Sequence, residues 1–438
     1  MIKRVGGMAA WMSVCAILLG GSGALAGPIT PPPGPVASTP GPEPRIAVNA
    51  TNTPGDADSV YKITQSGSYY LAGNVLGASG FHGIQITASN VTLDLNGFAL
   101  IGGSGSLDGV NIATSRGVNI VVKNGAIRSW GDCGIEMEYN SGNPPQGRIE
   151  RIQADNNGRT GILTEFNCEI VDCVASENAA YGFFGGPSSI YRGSTARSNG
   201  VDGFYTQSAA SVSNCIANGN TGRGFYLAIH SVIENCAAES NGTGFTAQGS
   251  LIRGCIASNS DGDGFDLFEG CTIIDSNAYR NTGHGIDGSN ATIVSRCNVT
   301  SNDGDGIQVN SGSTVNDCVA RDNGLSGIQA SSATLITNNQ CTSNGQDAAG
   351  GAGIQVSSSD NRIEGNNCTS QDYGIRATSG GNIIVRNTCS GNTTQWDLVA
   401  NNFYGPIINR VGVLTAAVSG TSAGSTLGST DANANYTY

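Results

Sequence analysis

A glycine followed by isoleucine or phenylalanine returns at Gly161, Gly182, Gly203, Gly224, Gly244, Gly264, Gly285, Gly306 and Gly327, in steps of 20 or 21 residues. A fixed period of that length, filled with short alternating patterns only, specifies a solenoid, because one coil cannot bury its own apolar face and must bury it on the next. The pattern continues at Gly353 and Gly374. It begins less regularly at Gly83, Gly109 and Gly134, where steps of 25 to 27 residues predict longer turns.

Nine positions before most of these glycines stands Cys or Ser (Cys173, Ser194, Cys215, Cys255, Ser276, Cys297, Cys318), and two places further on a small apolar residue such as Ala175, Ala217, Ala257, Val299 or Ala320. Spacing of two is one inward face of a strand. The Gly-Phe or Gly-Ile pair opens a second strand, whose next inward positions include Leu227, Ala247, Leu267, Val309 and Ala330. With 65 glycines, 12% charged residues and no long amphipathic helical pattern, the chain reads as all-β. The recurring leucines and helical arc of leucine-rich repeats are missing.

Stacked coils set like positions over one another about 4.8 Å apart, so columns carry more information than local motifs. One column runs Phe183, Phe204, Phe225, Phe245, Phe265, Ile286, Ile307, Ile328, Ile354, Ile375 and is expected inside. Another runs Asn178, Asn199, Asn220, Asn241, Asn281, Asn302, Asn323, Asn344, whose amides can bond to the coils above and below. Most cysteines fall in inward columns and are expected as buried thiols that fill space. Zinc is not expected, since no C-x-x-C pair or histidine cluster accompanies them.

Lys3 and Arg4, the apolar run Met8 to Leu19 and the triplet Ala24-Leu25-Ala26 have the layout of a secretory signal peptide over 1–26, too short in its apolar run for a membrane span. Residues 27–45 read as a proline-rich linker, 46–395 as the β-helix with an N-terminal cap around Tyr69-Tyr70-Leu71, and 396–438 as a C-terminal cap with a loosely held tail. The expected location is extracellular or periplasmic. Removing Lys3 and Arg4 with the leader takes the formal net charge from −12 to −14. Such a surface repels nucleic acid, anionic lipid and, unless calcium bridges, polyuronates.

The segments "NVTLDLNGFALIGG" and "VVKNGAIRSWGDCGI", followed by Cys-x-Ala…Asn…Gly-Ile coils over roughly residues 60–395, resemble secreted bacterial right-handed parallel β-helix proteins of the pectin-lyase-like superfamily. The resemblance implies a right-handed coil, which the crossover rule for parallel strands also favours. That superfamily includes polysaccharide lyases, glycoside hydrolases and epimerases beside tailspikes and adhesins.

The position after the Phe/Ile column must point outward and reads Phe184, Tyr205, Tyr226, Thr246, Asp266, Asp287, Gln308, Gln329, Gln355, Arg376. Phe184, Tyr205 and Tyr226 offer ring faces for a sugar chain, next to an acid pair; they would equally serve as cross-strand pairs that stabilise the sheet. The position before the recurring glycine reads Tyr181, Asp202, Arg223, Thr243, Asp263, His284, Asp305, Ser326, which puts His284 between two carboxylates. Asp266 and Asp287, one coil apart, suit the ~5 Å carboxyl separation of retaining glycosidases; Asp263 and Asp305, two coils apart, come near the ~6.5–9.5 Å of inverting ones.

Gly283-His284-Gly285 resembles the Gly-His-Gly of polygalacturonases, but that family's Asn-Thr-Asp, Asp-Asp and Arg-Ile-Lys signatures are missing, and Arg362-Ile363 is followed by Glu364. His82 and His230 are read as structural or solvent-facing. The sequence thus points to an extracellular polysaccharide as partner and to glycoside hydrolysis, with Asp266 and Asp287 as the acid and nucleophile or base, Asp263, His284 and Asp305 tuning their charge, and Arg223 beside the aromatic strip. The alternatives are a non-catalytic adhesion scaffold and a lyase assisted by calcium held in the acidic turns at 260–264 and 302–306. Hydrolysis requires no cofactor.

Overall fold

The structure, a computed structural model, describes residues 45–113, 118–137, 146–345, 350–409 and 431–437. The leader (1–26) and residues 27–44 of the linker lie outside them. The described residues form a parallel β-solenoid without α-helix among them. Each regular coil contributes three short strands. In one coil these are Phe265–Leu267, Thr272–Ile274 and Asn277–Tyr279. The first joins a 16-stranded sheet and the other two a 32-stranded sheet, each strand pairing with its equivalent one coil away.

The corners explain the period. In the coil after Gly161, Asn167, Asp172 and Glu177 adopt φ of 56°, 53° and 54°; in the next coil Ser188, Gly193 and Ser198 do the same. Left-handed backbone is tolerated best by Gly, Asn and Asp. Asn, Asp and Gly, together with Ser, recur where the chain must turn.

The recurring glycine serves a different need. Gly264 has no left-handed φ, but a Cβ there would lie 2.6 Å from the Gly285 carbonyl oxygen and 2.7 Å from Asn281 Nδ2. Successive coils approach too closely for a side chain. Gly264→Ala is expected to lower unfolding free energy in urea by about 1–3 kcal/mol, the usual cost of overpacking. An unchanged midpoint would show that the coils can spread.

The Phe/Ile column is interior, as its alternation predicts. The five phenylalanines are fully buried and stack at centroid separations of 4.7 to 4.9 Å. The asparagine column forms an amide ladder: Asn302 Nδ2 donates to Asn323 Oδ1 (3.0 Å) and to the Ala278 carbonyl (3.4 Å), while its Oδ1 accepts from Asn281 N (3.1 Å) and Asn281 Nδ2 (2.8 Å). Two further ladders appear toward the C-terminus, through Asn339, Asn366, Asn387 and Asn435 and through Asn361, Asn382 and Asn402.

No disulfide links the twelve cysteines from Cys133 to Cys389, and all are buried. Burial pushes the Cys168 and Cys173 thiols up to about 12. The reduced native protein should therefore resist a thiolate-selective reagent and expose its thiols only on unfolding. Stoichiometric labelling without denaturant would contradict that burial.

The ends differ from the sequence reading. Ser59–Ile63 pairs in register with His82–Ile86, and Gly67–Tyr70 with Val91–Asp94, so the later part of the expected N-terminal cap already stacks as coil, while Ile46–Ala47 pairs with Tyr69–Tyr70 and Pro54 bridges Tyr61 antiparallel. Trp396 does not begin a cap either. It pairs with Ile375 and extends the interior column, and Phe403–Tyr404 continues the other sheet. Asn435–Thr437, within the expected loose tail, forms a strand against Thr388–Cys389 and Ile407–Asn409. Asn435 supplies the last rung of an amide ladder, a polar requirement that bulk hydrophobicity does not reveal.

Candidate functional site

The 16-stranded sheet carries the outward column, in the register Phe184, Tyr205, Tyr226, Thr246, Asp266, Asp287, Gln308. Five coil steps from Phe184 to Asp287 span about 24 Å at the usual strand spacing. Asp266 and Asp287 are direct neighbours on adjacent strands, both half-buried. Burial, followed by the charges of Asp263 and Asp287, pushes the Asp266 carboxyl up to about 6. Burial also raises Asp287, but His284 and a 3.1 Å hydrogen bond from Gln308 Nε2 oppose it. One acid is thus biased toward the protonated form, while its neighbour is partly compensated.

The column before the glycine has a different task. Asp263 Oδ1 accepts the His284 backbone N–H (2.6 Å), His284 Nδ1 lies 3.0 Å from Asp305 N, and Asp305 Oδ1 accepts the Ser326 N–H (2.7 Å). Each side chain caps an amide of the next coil. Asp305 is almost completely buried, and burial raises its carboxyl against the pull of the Ser326 amide and His284. Asp202 does the same for Arg223 N (2.7 Å) and also pairs with its guanidinium (3.1 Å). Asp263, His284 and Asp305 therefore sit beside the acid pair, as expected, with polar atoms committed to the backbone. In the turns 260–264 and 302–306 the inner acids are these same caps, while Asp261 and Asp303 are exposed.

The aromatic strip forms, but its ring faces are not free. Phe184 stacks on Tyr205 at 4.8 Å and 5°, and Tyr205 on Tyr226 at 4.6 Å and 18°. Tyr181 meets Phe184 and Tyr205 edge-on, and the Arg223 guanidinium lies over Tyr226 at 4.3 Å. The strip offers a ligand ring edges and the two tyrosine hydroxyls rather than open faces. Thr246, buried, separates it from the acids.

A second cluster lies on the first coils. His82, structural or solvent-facing by sequence, has an acidic partner: its Nδ1 is 3.1 Å from Asp108 Oδ2. Donor atoms of Asp108, Cys133 and Glu136 all lie within 4.8 Å of one another. Burial tends to raise Asp108, but His82 and the Cys133 amide outweigh it and hold the carboxyl low; burial and the Asp108 charge push Glu136 up to about 7. Arg159 bonds Glu136 at 2.8 Å and pairs with Asp132 at 3.2 Å. The sequence held a signal for this group: His82, Asp108 and Cys133 precede Gly83, Gly109 and Gly134, and Glu136 falls in the outward column. Steps of 25 to 27 residues broke the regular offset. His230 is exposed at a turn, as expected.

On the 32-stranded sheet an open groove of about 560 Å³ is lined by Arg148, Glu169 and Arg192, which already pair with one another at 2.8 and 3.4 Å. No helix among the described residues is long and apolar enough to cross a membrane.

The sequence matches no curated protein. Among solved structures it is similar to the A-modules of two Azotobacter vinelandii mannuronan C-5 epimerases. For AlgE4 the identity is 16%, covering 77% of this chain and 90% of that one with a TM-score of 0.39. For AlgE6 the identity is 15%, covering 77% and 88% with a TM-score of 0.44. Pectate lyase Pel9A matches at 16% identity over 60% of this chain and 72% of that one, with a TM-score of 0.31. The right-handed β-helix region family matches residues 108–250 and 245–356, more than half of the chain. Together with the in-register parallel coils, that match makes this protein a member of the right-handed β-helix family.

Proposed function

We propose that the protein binds an extracellular polysaccharide along the outward column from Phe184 to Asp287 and hydrolyses a glycosidic bond at Asp266 and Asp287. The observation that carries this reading is the half-buried acid pair on adjacent strands, with Asp266 raised to about 6 and Asp287 braced by Gln308. Retaining hydrolysis needs two carboxyls ~5 Å apart, one acid and one carboxylate, and neighbours on adjacent strands suit that spacing: Asp266, the one raised to about 6, would protonate the departing oxygen, and Asp287, whose rise His284 and Gln308 oppose, would attack the anomeric carbon. With a mature net charge of −14, a neutral glycan meets less repulsion than a polyuronate.

Hydrolysis is favoured over elimination because Arg223, the cation over the aromatic strip, is held by Asp202 and by Tyr226 and is not poised as a base. The scaffold reading draws support from the self-stacked rings, whose faces already have partners. Incubating the mature chain with neutral and acidic polysaccharides, with and without calcium, separates the readings. New reducing ends lost in Asp266→Asn and Asp287→Asn are expected. Unsaturated uronide absorbance would replace hydrolysis by elimination, and retention without turnover would leave a binding scaffold.

A further inference from the structure

We propose that Asp108, Cys133 and Glu136 form a binding site for one zinc-class divalent ion. A carboxylate oxygen from each acid and the Cys133 Sγ lie within 4.8 Å of one another. Donors around a tetrahedral ion at ~2.0–2.3 Å are separated by about 3.5 Å, so small side-chain rotations close the set. Asp108 and Cys133 come from the pre-glycine column and Glu136 from the outward column of the strand Ile135–Met137. Glu136 sits within that strand, and Asp108 and Cys133 sit in the turns just before Val110–Ile112 and Ile135–Met137, so neighbouring coils bring all three donors together.

The surroundings fit a metal ligand shell. Asp108 Oδ1 is fixed by the Cys133 N–H (2.9 Å) and Asp108 Oδ2 by Asn111 Nδ2 (3.2 Å), while His82 Nδ1 accepts the Asp108 backbone N–H (3.2 Å). Such outer partners orient a ligating carboxylate and tune its charge. Arg159 pairs with Glu136, which limits the negative charge gathered at the point. Beside Asn111 lies a separate sign of an unfilled requirement. Gln85 is only 7% exposed, and its Oε1 accepts no hydrogen bond.

The thiolate sets the ion class. Sulfur beside carboxylates selects zinc or cobalt over calcium or magnesium, which take oxygen alone. On binding, the Cys133 thiol releases its proton to solvent as the Sγ–metal bond forms, with no change of oxidation state. Along the outward column the register from Glu136 passes through Leu163, Phe184, Tyr205, Tyr226 and Thr246 before it reaches Asp266. The site is therefore remote from the acid pair and does not depend on glycan hydrolysis.

The test uses the reduced, chelator-treated mature chain titrated with Co²⁺. Binding of one equivalent is expected, with a thiolate-to-cobalt charge-transfer band in the near ultraviolet, displacement by Zn²⁺ and a higher melting temperature. Cys133→Ser should abolish the band, whereas Cys255→Ser, which removes an equally buried thiol elsewhere, should keep it. Glu136→Gln, on the half-exposed side, should weaken affinity at least tenfold and serves if Cys133→Ser fails to fold. Absence of the band in the unsubstituted chain, its survival in Cys133→Ser, or unchanged affinity in Glu136→Gln would overturn the site.

Discussion

Replacing Asp266 by Asn is expected to abolish reducing-end release while making the folded chain more stable at pH 7. The two effects share a cause. Burial and the neighbouring charges of Asp263 and Asp287 raise the Asp266 carboxyl from 3.8 to about 6, which keeps its proton available for a leaving group. Removing a general acid costs about 10²–10⁴ in rate, and Asp287→Asn, which removes the attacking oxygen, should cost at least as much. Activity should fall as pH rises through about 6, because Asp266 then loses its proton, and should fall again in acid as Asp287 becomes protonated.

The stability consequence has the opposite sign to that of an ordinary ion-paired carboxylate. Between 3.8 and about 6 the folded state holds the Asp266 proton more tightly than the unfolded state. Stability from this group is therefore fully present below 3.8 and declines as pH climbs through that window. The amide introduced by Asp266→Asn has no proton to lose. Melting temperatures followed from pH 4 to 7 should fall less steeply in Asp266→Asn than in the parent and end a few degrees higher at pH 7. A parallel fall in both proteins would mean that Asp266 is not strained, and the acid assignment would go with it.

The larger structural effect is expected at the asparagine ladder. Asn302→Asp keeps both acceptor contacts to Asn281 but turns two donor contacts, to Asn323 Oδ1 and the Ala278 carbonyl, into encounters between buried acceptors. Two lost donors and a buried charge should cost about 3–5 kcal/mol at pH 7. Protonation returns one donor, so the deficit should shrink in acid. The folded carboxyl is raised, and its contribution is lost as pH rises through that value.

Asn302→Ser should cost less, because the chain already places Ser260 at the same corner. There Ser260 N bonds Asn281 Oδ1 at 3.0 Å, and Asn241 Nδ2 turns to the Glu239 carbonyl at 3.1 Å. Urea unfolding of both variants at pH 4 and pH 7 measures the difference. A pH-independent cost below about 1 kcal/mol for Asn302→Asp would show that the ladder is decorative.

The coil, its columns and the facing of those columns were legible because every regular coil repeats the same offsets. Phe183 to Ile375 is interior, Phe184 to Arg376 is outward, and Asp266 meets Asp287 for the same arithmetic reason. Where turns lengthen, the arithmetic slips. His82, Asp108, Cys133 and Glu136 occupy the same columns as the later acids, but irregular steps hid their convergence. The ends slipped for another reason: Trp396 and Asn435 carry on the interior stack and the amide ladder after the Gly-Ile marker has stopped.

A column says which residues are neighbours. It does not say how each neighbour spends its hydrogen bonds or which face of a ring remains open. Asp263, His284 and Asp305 were recognisable as a charged group, yet only the tertiary structure shows them capping amides of the next coil. Phe184, Tyr205 and Tyr226 were recognisable as a strip, yet only the structure shows the rings closing on one another. The period of 20 or 21 residues determines the solenoid and its inside and outside, because the spacing of corners and the alternation of strands are properties of the backbone. Which outward groups stay available to a ligand was decided by side-chain contacts between coils, which depend on distances of a few tenths of an ångström.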